Sequence, residues 1–408
     1  MGDTRTYFEA TGAPGPPPVI TCRERGSFAH SVMAERHPAL IERVRDAFPY
    51  GPRQHRALDV LLNEILHGVV EPLGQESPDR AFWEAHGEAY FGRPWFDAPF
   101  LWAESYFYRR LLDAIGYFGA GPWRGVDPFE PFKRAELLGG TVEEELRSLD
   151  RLVELPAPAR DGALLQASLW GNRADLGFSG GGASAPGEAG HALVADDSAA
   201  LWELLPPGSG GTVAVIADNA GRELIPDLVL VDHLLEQGRA AQVLLHVKPA
   251  PYYVSDAMTA DVVDCVRRLC EAPGEAGAIG GRVRAAMGEG RVDVRTHPFF
   301  CAPLPYERMP GDLRAEFDAV TVTILKGDLN HRRLVGDRLW PATTSFAELT
   351  AHFPGAVASL RTLKSDVVVG LTPQALDQLD ASGGAWRTSG THASVQVRGR
   401  LSRPHRSG

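Results

Sequence analysis

The sequence predicts an α/β fold, a parallel-sheet domain preceded by a long, mainly helical region. Three observations carry this. Residues 213–217 (VAVIA) form an unbroken apolar run of strand length, as suits a strand buried on both faces. From residue 211 onward strand-like and helix-like stretches alternate, the pattern of a parallel sheet with helices on both faces. From Met33 to Leu155, by contrast, apolar residues recur mostly at helical spacing.

Composition narrows the class. The 408 residues leave room for about two or three domains. The apolar fraction of 44% and charged fraction of 23% are those of an ordinary globular protein. A formal net charge of -11, with basic residues clustered only at the extreme end, speaks against a nucleic-acid partner. Cys22, Cys265, Cys270 and Cys301 form no C-x-x-C pair, so neither a disulfide framework nor a zinc site is expected and a cytoplasmic setting is the default. Residues 1–18 lack the apolar core of a signal peptide, and no run of about 18 apolar residues suggests a membrane span.

The elements follow in order. Residues 1–24 read as a tail or strap containing PGPPP, and residues 25–205 as the helical region. Helices are expected over 33–48, 54–70, 81–91, 100–118 and 142–155. The aromatics Trp102, Tyr106, Phe107, Tyr108 and Tyr117 are expected in its core, and Glu104 and Arg109 in structural pairs. The glycine-rich stretch 180–190 reads as a flexible loop, since no lysine follows to complete a phosphate loop. Asp196 and Asp197 read as the cap of a short helix. Residues 206–390 form the sheet domain, with strands expected over 213–217, 242–247, 292–295, 318–325, 357–360 and 367–369. A further strand near 394–397 falls within residues 391–408, otherwise a tail.

Polar residues cluster where four of these strands end: Asp218 and Asn219, Asp256, Asp328 and Asn330, and Lys364. Ligands of open α/β sheets bind at such carboxyl ends. Two readings stay open. These residues cap helices and turns, or their oxygens hold a hard cation while the lysine meets an anion. His297, in the Pro-rich loop after the third strand, reads as structural.

Read together, RGSFAH at Arg25, FLWAESYFYRR at Phe100, SLWGNRADL at Ser168, DNAGREL at Asp218, VSD at Val254, LKGDLNHRRLVGDRLW at Leu325 and RTLKSDVVVGL at Arg361 resemble the damage-control phosphatase family, in its acidic residue methyltransferase-like branch. The RTLK stretch fits that branch's RTxK signature. The resemblance implies a Rossmann-like α/β/α domain packed against amino-terminal helices. It implies a metal-dependent phosphatase of small phosphorylated metabolites such as sugar phosphates, supported by manganese, cobalt or nickel, with magnesium admissible. Carried over, Asp218, Asn219 and Asp256 match metal ligands. Glu223, the stretch Asp328, Leu329, Asn330 and His331, and Lys364 match substrate contacts, and Asn172 and Asp175 match a G-N-x-x-D motif beside the site. His331 stands where relatives usually carry tyrosine, which bears on substrate choice.

On this reading Lys364 neutralises charge on the transferring group, and Asp218 or Asp256 could serve as base or nucleophile as well as ligand. Two alternatives remain: an S-adenosylmethionine-dependent carboxyl methyltransferase, and a non-catalytic sugar-phosphate-binding protein. The glycines of GSGG precede the central strand, whereas nucleotide-type folds place theirs after it, which counts against the first.

Overall fold

In the computed structural model, residues 15–401 are described, apart from 153, 172–191 and 384. Seven strands form one sheet in the order β1-β7-β6-β5-β2-β3-β4, with β1 Ala192–Asp196, β2 Gly211–Ile216, β3 Ala240–Val247, β4 Val292–Thr296, β5 Val322–Lys326, β6 Val357–Thr362 and β7 His392–Arg398. Every neighbouring pair is parallel except β6 with β7. The sheet is therefore mixed but mostly parallel. β2 lies between β3 and β5, and its residues 213–216 are all buried, which accounts for the absence of polar alternation. The chain runs from β2 outward to β3 and β4, then returns to place β5 on the other side of β2. That reversal makes a crevice at the carboxyl ends of β2 and β5.

Three sequence expectations need correction. Residues 367–369 form no strand, although all three are buried. Their apolarity serves packing: Val367 and Val369 join the main core and Val368 a small cluster with Leu363, Leu371 and Trp386. Residue 318 belongs to the helix Gly311–Ala319, and the fourth expected strand begins only where pairing with β2 does. The domain boundaries at 205 and 391 both cut the sheet. β1 comes from the region read as helical, and β7, from the region read as a tail, pairs on both sides with β1 and β6.

The amino-terminal helices pack over one face. The helix Phe100–Ile115 is buried along most of its length, and Trp102 and Tyr106 stack at 4.8 Å between ring centroids. The aromatics are core, as their spacing suggests; Arg109 binds Asp79 at 2.7 Å and Glu104 binds Arg332 at 3.1 Å. The second of these joins the helical region to the sheet domain. No described helix is long and apolar enough to cross a membrane.

His37 lies within this core. Its ring stacks on Phe107 at 3.7 Å, and neither ring nitrogen has a hydrogen-bond partner. Burial pushes its pKa down to about 3. The unfolded chain therefore takes up a proton near the ordinary histidine pKa of ~6.5 while the folded protein does not. The resulting stability is complete above that value and is lost as pH falls toward 3, at up to ~1.4 kcal/mol per pH unit. His37→Met should flatten the fall in melting temperature between about pH 6 and pH 4. An unchanged profile in thermal melts would refute this role.

Candidate metal and phosphate site

The residues predicted from strand ends do gather at the crevice, and capping does not explain them. The helix after β2 is Leu224–Glu236, with Glu223 at its cap position, so Asp218 and Asn219 lie clear of its first turn. The helix after β3 is Thr259–Cys270, and the Asp261 carboxylate caps the Met258 N–H at 2.8 Å. Asp256 is likewise free of a capping role.

The segments following β2 and β3 are stitched together by backbone. Asn219 bridges Asp256, Ala220 N–H donates to the Ser255 carbonyl at 2.7 Å, and Ala257 N–H donates to the Asp218 carbonyl at 2.9 Å. Side chains continue the pattern. The Ser255 hydroxyl donates to Asn219 Oδ1 at 2.7 Å, Asn219 Nδ2 donates to Asp218 Oδ2 at 3.2 Å, and the Tyr253 N–H donates to Asp256 Oδ2 at 2.9 Å. One oxygen of each side chain is thus held by a specific donor.

Burial raises the Asp218 carboxyl well above the usual carboxylate range, reinforced by Glu223 and Asp256 and opposed by Lys364 and Lys248. Asp256 is raised by burial and pulled back first by Lys248. Gly327 sets the other wall. It adopts φ +86, and a Cβ on it would stand 1.9 Å from Asp218 Oδ2. The group that Gly327 admits beside it is the Asp218 carboxylate.

Lys364 reaches in from the end of β6. Its ammonium lies 3.6 Å from Glu223 Oε1 and is half-exposed. Burial disfavours its charge, but Glu223, Asp218 and Asp328 outweigh burial and raise its pKa. Beside it opens a cleft of about 170 Å³ whose lining includes Glu136, Trp170, Arg222, Glu223 and Thr362.

The four residues Asp328 to His331 do not act together. Asp328 Oδ1 accepts from Arg361 Nη1 at 2.7 Å and from the Lys364 N–H at 3.5 Å. Leu329 packs with Leu101 and Tyr252. Asn330 is fully buried, bound to the Tyr306 hydroxyl at 3.0 Å and to the Lys326 carbonyl at 2.7 Å. His331 is also fully buried, with Nδ1 2.9 Å from the Ser359 hydroxyl and its ring stacked toward Phe346. Of the stretch matched to substrate contacts, only Asp328 turns toward Lys364. The expectation that His331 meets the substrate is corrected by its place in the core beneath β6. Asn172 and Asp175 lie outside the described residues. Gly171, just before them, packs on Glu223, since a Cβ there would come within 2.9 Å of Glu223 Cγ.

The family model for the damage-control phosphatase ARMT1-like domain matches residues 32–379. The chain belongs to that family. Curated relatives named Damage-control phosphatase ARMT1 agree over nearly full length. The Danio rerio protein is 29% identical over 445 residues, covering 96% of this chain and 98% of its own. The Mus musculus protein is 30% identical, covering 94% and 99%, and the Xenopus laevis protein 31% identical with the same coverage. Among solved structures, a DUF89 family protein from Pyrococcus horikoshii aligns with a TM-score of 0.46 at 17% identity, covering 86% of this chain and 93% of that one.

In this ARMT1-like phosphatase domain the donor chemistry suits a hard divalent ion. Asp218 and Asp256 offer carboxylate oxygens and Asn219 an amide oxygen, and the two carboxyls are both raised from the ordinary carboxylate range, burial being the largest cause for each. Among the described residues no three His, Cys, Asp or Glu side chains gather as a metal group, so a cation here would complete its shell with water or substrate. Sequence reasoning passed over three residues. Lys248 directly follows β3 and lies outside the motifs. Arg361, the arginine of RTLK, is fully buried and orients Asp328. Glu136 carries no motif, and only folding brings it to the cleft.

The raised carboxyls have a measurable consequence. Their protonation favours the folded state, so the stability they contribute is complete below the ordinary carboxylate pKa of ~3.9 and is lost as pH rises through their raised folded values. In chelator, Asp218→Asn should therefore gain melting temperature relative to the parent at neutral pH and gain nothing at pH 4. Manganese should raise the parent's melting temperature at neutral pH far more than at pH 4. That response should vanish in Asp218→Asn and in Gly327→Ala. A full manganese response in both variants would rule out this ligand set.

Proposed function

We propose that the chain is a metal-dependent phosphatase of small phosphomonoesters, with sugar or polyol phosphates as the substrate class. One observation carries the reading: Asp218 and Asn219, half-buried, and Asp256, buried, lie on adjoining segments in the field of Lys364, which lines a neighbouring cleft. A divalent ion held by those three side chains would supply Lewis-acid polarisation of a phosphoryl oxygen. The chain's own residues do the rest. Lys364, kept cationic by its carboxylate neighbours, neutralises charge that grows on the phosphoryl oxygens, where positioning and electrostatics dominate catalysis. Arg361 holds Asp328, and Asp328 holds the Lys364 backbone, so the lysine is fixed at its root. Glu223 and Glu136 offer carboxylate acceptors for hydroxyl groups, and a cleft of about 170 Å³ favours a compact ligand. The methyl-transfer and non-catalytic readings draw on no comparable feature.

The test is phosphate release from a panel of phosphorylated metabolites with manganese, cobalt, nickel and magnesium. Sugar phosphates should outrank nucleotides, and chelator should abolish turnover. Lys364→Ala should lower kcat by about 10²- to 10³-fold, as loss of one preorganised donor does, with a melting temperature close to the parent's. Lys364→Arg should recover only part, because a planar fork does not replace a point charge. Parental turnover in Lys364→Ala would remove the residue from the mechanism.

A further inference from the structure

Lys248 directly follows β3, and none of the motifs includes it. Its side chain is 2% exposed. Its backbone is fixed to the two residues that follow Asp256: the Lys248 N–H donates to the Ala257 carbonyl at 2.9 Å, and Lys248 bridges Met258. Every other fully or nearly buried lysine has a carboxylate partner: Lys133 binds Asp127 and Asp261, and Lys326 binds Asp227. The Lys248 ammonium has no ion pair or hydrogen bond among the described residues; its one close neighbour is the face of Tyr252, at 5.8 Å. A buried ammonium without acceptors is costly unless a charge nearby compensates it. The compensating charges are Asp256 and Asp218, both of which feel Lys248.

These are the side chains a divalent ion would engage. Once they are so engaged, Lys248 is left as a desolvated positive charge with open donors. An anion must then satisfy it, and in this site that anion is a phosphoryl group. We propose that Lys248 is a second phosphate-contacting residue, balancing Asp218 and Asp256 in the metal-free protein and binding the phosphoryl oxygens in the loaded one. The proposal rests on the phosphatase reading for its ligand. It gives the two lysines different stations: Lys364 follows β6 and is half-exposed, and Lys248 follows β3 and is nearly buried.

The predicted signature is a pair of affinities moving in opposite directions. Removing a cation beside the two carboxylates should tighten manganese binding, whereas removing an anion contact should weaken phosphate binding. Manganese is titrated calorimetrically into metal-free parent, Lys248→Met and Lys248→Arg proteins, and inorganic phosphate is then titrated into each manganese-loaded protein. Lys248→Met should bind manganese several-fold more tightly and phosphate roughly tenfold or more weakly, the worth of a charge-assisted hydrogen bond. Lys248→Arg, which keeps the charge, should move both affinities less. Thermal melting checks folding, and Lys248→Gln replaces the methionine variant if the latter does not melt cooperatively. Joint weakening of both affinities, or no change in either, overturns the proposal. Absence of turnover on every phosphomonoester would defeat the phosphatase reading instead, while opposite shifts would still uphold the anion contact.

Discussion

Two carboxylates cannot be drawn out of water side by side without a counter-charge, and the centre of this protein is built around that constraint. Asp218 and Asp256 lie on segments laced together by backbone hydrogen bonds, so the polypeptide cannot relieve their repulsion by moving one away. Gly327 closes the remaining side so tightly that no side chain fits between it and Asp218. The structure answers with two cations of different exposure, Lys248 nearly buried and Lys364 half-exposed. Holding these carboxylates together makes local folding less favourable, a trade familiar at functional centres.

The helical region belongs to that design. Tyr253 donates its N–H to Asp256 and, through its hydroxyl, reaches Glu104 at 3.2 Å. Glu104 in turn meets Arg332, which also binds Asp337 at 2.8 Å, and the Asp337 carboxylate accepts the Leu101 N–H. A continuous set of buried polar contacts therefore runs from the helix Phe100–Ile115 to the segment carrying Asp256. Buried networks of this kind fix one arrangement when every member is satisfied. Glu104 thus ties the two regions together, which neither its helical spacing nor the charge pattern could reveal, because its partners lie more than a hundred residues away in sequence.

What the sequence made legible follows the range of the interactions involved. β2 to β6 could be read because apolar runs and the turns that end them are local signals, and the strand-end carboxylates followed from the same pattern. β1 was missed because its five residues become a strand only by pairing with β7 at the far end of the chain. Residues 367–369 were misread because an apolar run records burial, and burial does not require a ladder of hydrogen bonds. Within the site, Asp218, Asn219, Asp256 and Lys364 were legible as strand-end residues. Lys248 was not, since a lysine at a strand end normally reaches solvent, and only the packed structure reveals that this one does not.

The stretch Asp328 to His331 reveals why a motif can be right as a block and misleading residue by residue. It begins a helix, and successive side chains on a helix turn by about 100°. Asp328 points to Arg361 and Lys364, and Leu329 to the apolar contact with Leu101 and Tyr252. Asn330 points back beneath the ends of β2 and β5, tying the carbonyls of Ala217 and Lys326, and His331 points to Ser359 on β6. Four neighbours thus serve four directions, and only the first contacts Lys364, which lines the cleft. A change at the fourth alters how the helix seats on β6, the strand that carries Arg361 and leads to Lys364. On the proposed function, any influence of His331 on substrate choice would travel through the placement of those groups, and direct contacts would fall to the side chains that line the cleft, Glu136, Trp170 and Thr362 among them.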